Sequence, residues 1–148
     1  RIKEMLEIQP NKEPFLFVNN SLKVEYLKSA SCTFFLSPDD WFFKCHWPGN
    51  PNMPAALQLE SMTQVGGMIL FASLEKKPKY LYVRKITNAV FYRKIIPNSE
   101  IVVMSESTKY LKGIMSVKSK IKCTKSNLLY SKSEFTLINP DVIPKVSS

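Results

Sequence analysis

The segment at residues 55–74 constrains the fold of this chain most, because it is apolar on nearly every side. Its pattern predicts a helix that is buried all round rather than one that lies on a surface. Pro54 suits the first turn of such a helix, and Asn52 is a candidate N-cap. Gly66 and Gly67 lie in its middle, where each glycine costs about 1 kcal/mol of helix propensity. We therefore expect these two glycines to pack closely against a sheet.

The second half of the chain predicts that sheet. Residues 115–122 alternate between apolar and polar side chains, as in a strand with one wet face. The β-rich runs predict strands at residues 80–91, 101–107, 114–123 and 128–138, with turns at 97–99, 109–112 and 125–127. Earlier strands are expected at residues 15–18 and within residues 22–36, with a break near Lys28 and Ser29. One long buried helix and a largely antiparallel sheet define the class α+β.

The 148 residues are the usual size of one domain, and 45% of them are hydrophobic. Residues 2–8 predict a short amphipathic helix, residues 41–54 an ordered loop without regular structure, and residues 140–148 a loose tail. The most apolar segment contains two glutamines and a glutamate. We therefore expect no membrane span.

The three cysteines, Cys32, Cys45 and Cys123, are irregularly spaced and form no CxxC pair. This pattern argues against a disulfide framework and a structural zinc site, and it favours a reducing compartment, the cytoplasm. The charged start of the chain does not resemble a signal peptide. No metal or cofactor is predicted.

Basic residues are concentrated in the second half. Residues 1–74 hold six Lys or Arg and seven Asp or Glu, a net charge of −1, whereas residues 75–148 hold fifteen and five, a net charge of +10. This asymmetry indicates an acidic partner, although most of the lysines fit a solvated face. Nucleic acid is not expected, because no nucleic-acid motif or compact arginine cluster is present.

Residues 45–74 contain one histidine, His46, and one acid, Glu60, and no other formal charge. A neutral histidine is a natural base for a weakly acidic proton at physiological pH. A carboxyl buried without a charged partner keeps its proton nearer neutrality and can act as a general acid. Because Glu60 has apolar and amide neighbours, we expect it to be buried, with Gln64 one turn away to orient it. The plainer alternatives are a loop histidine without a role and a partly exposed carboxylate.

The segment between these two residues supports proton-transfer chemistry. Its loop is rich in proline and stiff enough to fix an imidazole, and the start of the following helix offers free N–H groups for a developing oxyanion. Cys45 and His46 could instead form a nucleophile and its base. Adjacent side chains rarely face each other, however, and Cys45 is more simply interpreted as a small buried hydrophobe.

Four segments carry a recognisable set of motifs. The longest is HWPGNPNMP at residues 46–54, continuing through LQLE at residues 57–60 to Gln64, and the others are PFLFV at 14–18, FYRKIIP at 91–97 and SEFTL at 133–137. Together they resemble the 3-hydroxyacyl-acyl carrier protein dehydratases, hotdog-fold enzymes of fatty-acid synthesis. The resemblance covers most of the chain and implies a single hotdog domain over residues 1–148.

This resemblance implies a long central helix wrapped by an antiparallel sheet, and a homodimer or dimer-based oligomer in which two subunits pair their sheets. The site would lie at the dimer interface, with His46 of one subunit facing Glu60 of the other. The implied reaction is reversible removal of water from a (3R)-3-hydroxyacyl thioester, giving the trans-2-enoyl product. His46 would take the α-proton, and Glu60 would protonate the departing hydroxyl.

The resemblance also implies substrate-binding residues and a partner. The backbone N–H of Ala55 would hold the thioester oxygen, and Gly49 and Gln64 would complete the substrate site. The acyl group would be linked to the phosphopantetheine of an acidic acyl carrier protein. The expected docking residues are Arg84, Lys85, Arg93 and Lys94.

Some positions depart from the family pattern. Cys45 and Ala55 stand where glycine is usual, Trp47 replaces phenylalanine, Glu13 replaces a frequent tyrosine, and Asn98-Ser99 replaces a Gly-Asp turn. Glu60, rather than Asp, favours the plain dehydratase over the dehydratase-isomerase branch. Two alternatives remain: a hotdog thioesterase, which does not need the His-x-Pro-Gly loop, and a non-catalytic acyl-binding subunit.

Overall fold

A six-stranded antiparallel sheet and one long helix dominate the computed structural model, which describes residues 6–7, 9–13, 16–45 and 49–142. The strand order across the sheet is β1-β2-β4-β5-β6-β3, so β1 and β3 are its edges. The predicted α+β class is confirmed. The elements are β1 (Lys23–Glu25), β2 (Ser29–Phe35), α1 (Trp41–Cys45), α2 (Ala55–Ser73), β3 (Tyr82–Phe91), β4 (Glu100–Leu111), β5 (Ile114–Cys123) and β6 (Leu129–Ile138).

Helix α2 lies across the inner face of the sheet and contacts β1, β2, β4, β5 and β6. Residues 61–71 are all buried, which confirms the prediction of a helix covered on every side for the centre of α2; at its start Ala55 and Ala56 are exposed, so there the prediction is wrong. A Cβ atom on Gly66 would lie 3.0 Å from the ring of Phe135, and one on Gly67 would lie 3.3 Å from Leu81. Both glycines therefore allow the close packing that the sequence predicts.

The start of α2 differs from the prediction. Pro54 occupies the N-cap position and no side chain caps the helix, so Asn52 as N-cap is wrong. The Asn52 side chain donates instead to the carbonyl of Asn50 (3.2 Å). Gln58 donates from its buried side chain to the carbonyl of Met53 (2.9 Å), which ties the preceding loop to the helix.

The second-half strands agree with the sequence pattern, with boundaries within two residues of the prediction except at the end of β4. Strand β5 runs over the predicted residues, and its apolar side chains alternate inward as expected. Strand β4 continues to Leu111, so the predicted turn at residues 109–112 is too long. The hairpin turns on Lys112 (φ 52°) and Gly113 (φ 80°). Two left-handed residues match the twist of the flanking strands, which explains so tight a connection.

The strand predicted at residues 15–18 is wrong for the described residues 16–18, which lie outside the sheet. The backbone N–H of Phe17 donates to the side-chain oxygen of Gln64 at 2.7 Å. Phe17 and Val18 are both buried. This segment is thus apolar because it packs on the core beside α2, and its backbone bonds to a side chain instead of to a strand.

The loop predicted at residues 41–54 is interrupted by helix α1. The N–H of Ser37 donates to the side chain of Asp40 at 3.0 Å, and the N–H of Asp40 donates to the carbonyl of Ser37 at 3.0 Å, so a closed turn leads directly into the helix. Phe42 and Phe43 then bury their rings in the core. The prediction of no regular structure is therefore wrong for this part of the loop.

The two ends of the chain are described only in part. Leu6 and Glu7 are helical, while residues 2–5 and 8 of the predicted amphipathic helix lie outside the described residues. Of the predicted tail, residues 140–142 are exposed and residues 143–148 lie outside the described part. Among the helices that the structure describes, none has the length and apolar character needed to cross a membrane.

Candidate active site around Glu60

Glu60 lies on the second turn of α2 with its side chain half-buried, so the expected full burial is wrong for the single chain. Gln64 lies one turn further on and is 4% exposed. Its amide nitrogen donates to Glu60 Oε1 at 3.0 Å. The predicted contact between these two side chains is therefore present, and it holds the carboxyl in one orientation.

The orientation of the Gln64 amide follows from its second partner. The backbone N–H of Phe17 can only donate, so the oxygen of the amide must face Phe17 and the nitrogen must face Glu60. The donated hydrogen bond to Gln64 is short (2.7 Å) and buried. A residue outside the signature motif thus sets the geometry of the acid. No sequence pattern marks this role, because the donor is a backbone group.

Glu60 faces a cavity of about 240 Å³ between α2, the segment at residues 9–11 and the start of β3. Apolar side chains line its far wall, among them Phe71 and Leu137, which are each 2% exposed. Phe71 lies eleven residues beyond Glu60 on the helix, a separation of about 16 Å along the axis at 1.5 Å per residue. The cavity therefore combines one oriented carboxyl with an elongated apolar wall.

The other predicted catalytic residue, His46, lies outside the described residues. The chain is described again from Gly49, which is exposed and has a left-handed backbone (φ 81°). Ala55 is the first residue of α2, where the N–H groups of a helix have no intrahelical partner. It lies five residues before Glu60, about 7.5 Å along the same axis. The oxyanion donor and the acid expected from the sequence therefore share one rigid element.

The four predicted docking residues all lie near β3 and are all exposed. Arg84 and Lys85 are on the strand, and Arg93 and Lys94 follow it. Lys94 also contacts another segment, since its Nζ atom donates to the Oδ1 atom of Asn50 at 2.7 Å. One of the four is therefore engaged with the loop between His46 and α2, a link that the sequence analysis missed.

The cysteines occupy three different environments. Cys45 is exposed, so its interpretation as a buried hydrophobe is wrong. Burial raises the pKa of the Cys32 thiol. Hydrogen bonds, first from the side chain of Ser126 and then from the local backbone, lower the pKa of the Cys123 thiol from 9.0 to about 7. Among the described residues no group of three or more His, Cys, Asp or Glu side chains is arranged to hold a metal ion.

A larger depression, of about 820 Å³, crosses the solvent face of the sheet. It is lined by lysines and glutamates, including the pairs Lys28–Glu25 (3.3 Å) and Lys118–Glu134 (3.8 Å). Exposed pairs of this kind contribute little and are well solvated. Glu60 is not among its lining residues. The smaller cavity is the candidate site, because it holds an oriented carboxyl against an apolar wall.

The fold class is shown by solved structures of low sequence identity. The dehydratase heterocomplex ApeI:P from Xenorhabdus doucetiae has a chain with a TM-score of 0.74 and 12% identity, covering 92% of this chain and 90% of that one. Zebra fish thioesterase superfamily member 2 has a TM-score of 0.71 and 9% identity, covering 93% and 95%. The architecture is the hotdog fold that the resemblance implied.

Sequence comparison narrows the class to a family. The model of the FabA-like domain matches residues 9–129. The 3-hydroxyacyl-[acyl-carrier-protein] dehydratase FabZ of Clostridium botulinum (strain Okra / Type B1) is 34% identical over 116 residues, which cover 78% of this chain and 80% of the relative. The FabZ protein of Erwinia tasmaniensis is 34% identical over 131 residues, covering 83% and 87%. The chain belongs to the FabZ dehydratases of the FabA-like domain family.

Proposed function

We propose that this chain catalyses the reversible dehydration of (3R)-3-hydroxyacyl groups carried on acyl carrier protein, in fatty-acid synthesis or a related acyl pathway of the cytoplasm. The observation that carries the proposal is the Glu60 carboxyl, held by Gln64 in a cavity that has polar side chains around the carboxyl and an apolar wall beyond it. An acid in that setting suits a reaction that must protonate a leaving hydroxyl beside an acyl chain. Family membership supports the same chemistry.

In the proposed reaction His46 removes the proton from C2 of the thioester while negative charge develops on the thioester oxygen. The backbone N–H of Ala55, at the positive end of α2, stabilises that oxygen. The C3–O bond then breaks, the electron pair forms the C2–C3 double bond, and Glu60 gives its proton to the departing hydroxyl, which leaves as water. Transfer of a proton from His46 back to Glu60 through solvent restores the starting state.

The proposed active unit is a homodimer that pairs two β3 strands. Strand β3 is a ten-residue edge strand. Its apolar side chains Tyr82, Val83, Ile86, Val90 and Phe91 are between 37% and 55% exposed. A long, apolar, unpaired edge is a template for another strand. Tyr82 and Val83 also line the Glu60 cavity, so a partner strand added here would close the cavity and bring its own loop to it.

Mixing two inactive variants tests whether the site is shared between subunits. His46→Ala and Glu60→Gln proteins should each be inactive. After mixing and exchange of subunits, half of the dimers would be mixed and each would hold one intact site of two, so about a quarter of the wild-type activity should return. No recovery, with subunit exchange demonstrated by mass, would contradict a site built from two chains.

One assay separates the three functions that the sequence left open. The full chain is given an enoyl thioester, and loss of the conjugated absorbance is followed together with release of free thiol. Hydration without thiol release supports the dehydratase. Thiol release would indicate a thioesterase, and no change in either signal would indicate a binding subunit. A His46→Ala variant with undiminished hydration would refute the assignment of His46 as the base.

The acidic carrier protein is the proposed partner of the basic residues around β3. Arg84 and Lys85 are exposed on the strand that borders the cavity, and Arg93 and Lys94 follow it. Reversing the charge of Arg84 and Arg93 together should raise KM for carrier-bound substrate and leave KM for a small thioester unchanged. Equal effects on both substrates would contradict docking at these residues.

A further inference from the structure

We infer that Lys94 is a positioning residue, which holds the loop between His46 and α2 through Asn50. The inference rests on the proposed function for its kinetic consequence, but its structural part is independent of it. Lys94 Nζ donates to Asn50 Oδ1 at 2.7 Å, and the two residues are 44 positions apart in sequence. Asn50 follows the proposed base by four residues and precedes Ala55 by five.

A buried backbone hydrogen bond next to this contact fixes the position of the Lys94 backbone relative to the loop. The N–H of Met53 donates to the carbonyl of Ile95 at 2.9 Å. Met53 is 2% exposed and Ile95 is fully buried. Because Ile95 is the neighbour of Lys94, the buried bond fixes the segment from which the Lys94 side chain reaches the loop. The loop is therefore clamped at two points, three residues apart, to one short segment.

Another hydrogen bond of the loop runs to the helix that carries the acid. The carbonyl of Met53 accepts from the side chain of Gln58 at 2.9 Å, and Gln58 belongs to the first turns of α2. The segment at residues 94–95, the loop and the start of α2 are thus linked by consecutive hydrogen bonds. A displacement of the loop would move Asn50, which is nearer to His46 in sequence, while Met53 stays bound to Gln58 of the helix. Lys94 restrains the end that the helix does not.

This role is distinct from carrier-protein docking and makes a different kinetic prediction. An ammonium group has three donors, so a contact to Asn50 leaves Lys94 able to meet an acidic partner as well. Docking alone would change KM for carrier-bound substrate only. Positioning changes kcat for carrier-bound and small substrates alike, because the loop is needed for the chemical step in both.

The test is a double-variant cycle on the full chain with Lys94→Met and Asn50→Ala, assayed with crotonyl-N-acetylcysteamine and crotonyl-acyl carrier protein. Both residues are exposed, so the variants should fold. Each should lower kcat by about fivefold with either substrate, the kinetic equivalent of about 1 kcal/mol for a charge-assisted hydrogen bond at the surface. The double variant should be no slower than either single one. Lys94→Arg and Asn50→Asp, which keep a donor and an acceptor, should retain most of the rate.

Hydrogen–deuterium exchange provides a readout that does not need catalysis. The peptide covering residues 46–54 should exchange faster in Lys94→Met and Asn50→Ala than in the wild type. Its exchange rate should be unchanged in Lys109→Met, which replaces an exposed lysine in β4. Unchanged exchange in all variants would overturn the inference even if the enzyme is an active dehydratase. So would additive kcat losses in the double variant, or a KM effect confined to the carrier substrate. A wild-type chain without hydratase activity would refute the proposed function, while the exchange experiment would still decide this inference.

Discussion

Replacing Gln64 with leucine tests the geometry of the candidate acid most directly. The change keeps a buried side chain of similar size on α2 and removes both polar atoms. The carboxyl of Glu60 then loses the donor at 3.0 Å, and the N–H of Phe17 loses its acceptor at 2.7 Å. The first loss affects the chemistry and the second affects the stability, so two separate measurements can follow them.

The stability cost comes mainly from the stranded N–H of Phe17. Leaving a buried donor unsatisfied costs about 1–3 kcal/mol, while the shape of the site is nearly conserved and adds little. We expect the free energy of unfolding to fall by about 2 kcal/mol, measured by urea denaturation at one fixed protein concentration. The catalytic cost comes from a half-buried carboxyl that is free to turn. Misplacement by about 1 Å costs up to about a hundredfold, so kcat for enoyl thioester hydration should fall at least about tenfold.

The variant Gln64→Glu is the matched control, because it has the same shape and keeps an acceptor for Phe17. It keeps the hydrogen bond from Phe17 that Gln64→Leu loses, so the stability that it loses reports the introduced carboxyl rather than an unsatisfied N–H. It also puts a second carboxyl 3.0 Å from Glu60, where two like charges cannot both ionise easily. A Gln64→Leu protein that keeps its stability within about 0.5 kcal/mol, as a surface substitution would, and keeps its kcat would refute this account.

Three further predictions concern the helix glycines and one thiol. Gly66→Ala should lower the free energy of unfolding by about 1–2 kcal/mol, because its Cβ would lie 3.0 Å from the buried ring of Phe135; a more stable variant in urea denaturation would contradict this. Gly67→Ala meets only the tip of Leu81 at 3.3 Å and should gain up to about 1 kcal/mol of helix propensity. It should also shift kcat/KM toward shorter acyl thioesters, since Gly67 lines the cavity, and an unchanged chain-length profile would exclude this wall as the acyl site. Cys123, whose pKa is lowered to about 7 by hydrogen bonds in its turn, should be alkylated by iodoacetamide half-maximally near pH 7, and alkylation that begins only near pH 9 would contradict the shift. Because the pKa of this thiol is lower in the folded chain than its unfolded value of 9.0, its stabilising effect should be complete above pH 9 and lost as the pH falls through 7.

The helix and the later strands are predictable from sequence because each has its own local pattern. Residues 55–74 are apolar on all sides, and apolar and polar side chains alternate along β5, so the hydrophobic pattern alone predicts both elements. The contact of Glu60 with Gln64 is predictable for the same reason, since it depends only on helical spacing. The degree of burial of Glu60 is not predictable in this way. Its exposed side borders the edge strand β3, and the strand order is set by pairings distant in sequence.

The errors have more specific causes. Helix α1 follows a turn signal, Ser37-Pro38-Asp39-Asp40, with an apolar run directly after it, and the prolines later in the loop obscure that short run. The segment at residues 16–18 has the composition of a strand, but its backbone bonds to a glutamine side chain, which no pattern of side chains along one segment can predict. The bond between Lys94 and Asn50 joins two loops 44 positions apart. Neither residue is unusual in its own segment, so only the folded chain brings them together.

The apolar edge of β3 links catalysis to assembly in the proposed dimer. Tyr82 and Val83 are exposed on that edge and also line the cavity beside Glu60. Strand pairing would therefore bury the same side chains that line the proposed acyl site. A charge placed at Ile86, which is 41% exposed on β3 but does not line the cavity, should weaken pairing without touching the site. The specific activity of Ile86→Asp should then fall on dilution in step with the dimer fraction measured by sedimentation, whereas Leu111→Asp, at a more exposed leucine on the β4–β5 hairpin, should show neither change. Full activity from a monomeric Ile86→Asp protein would show that one chain holds a complete site.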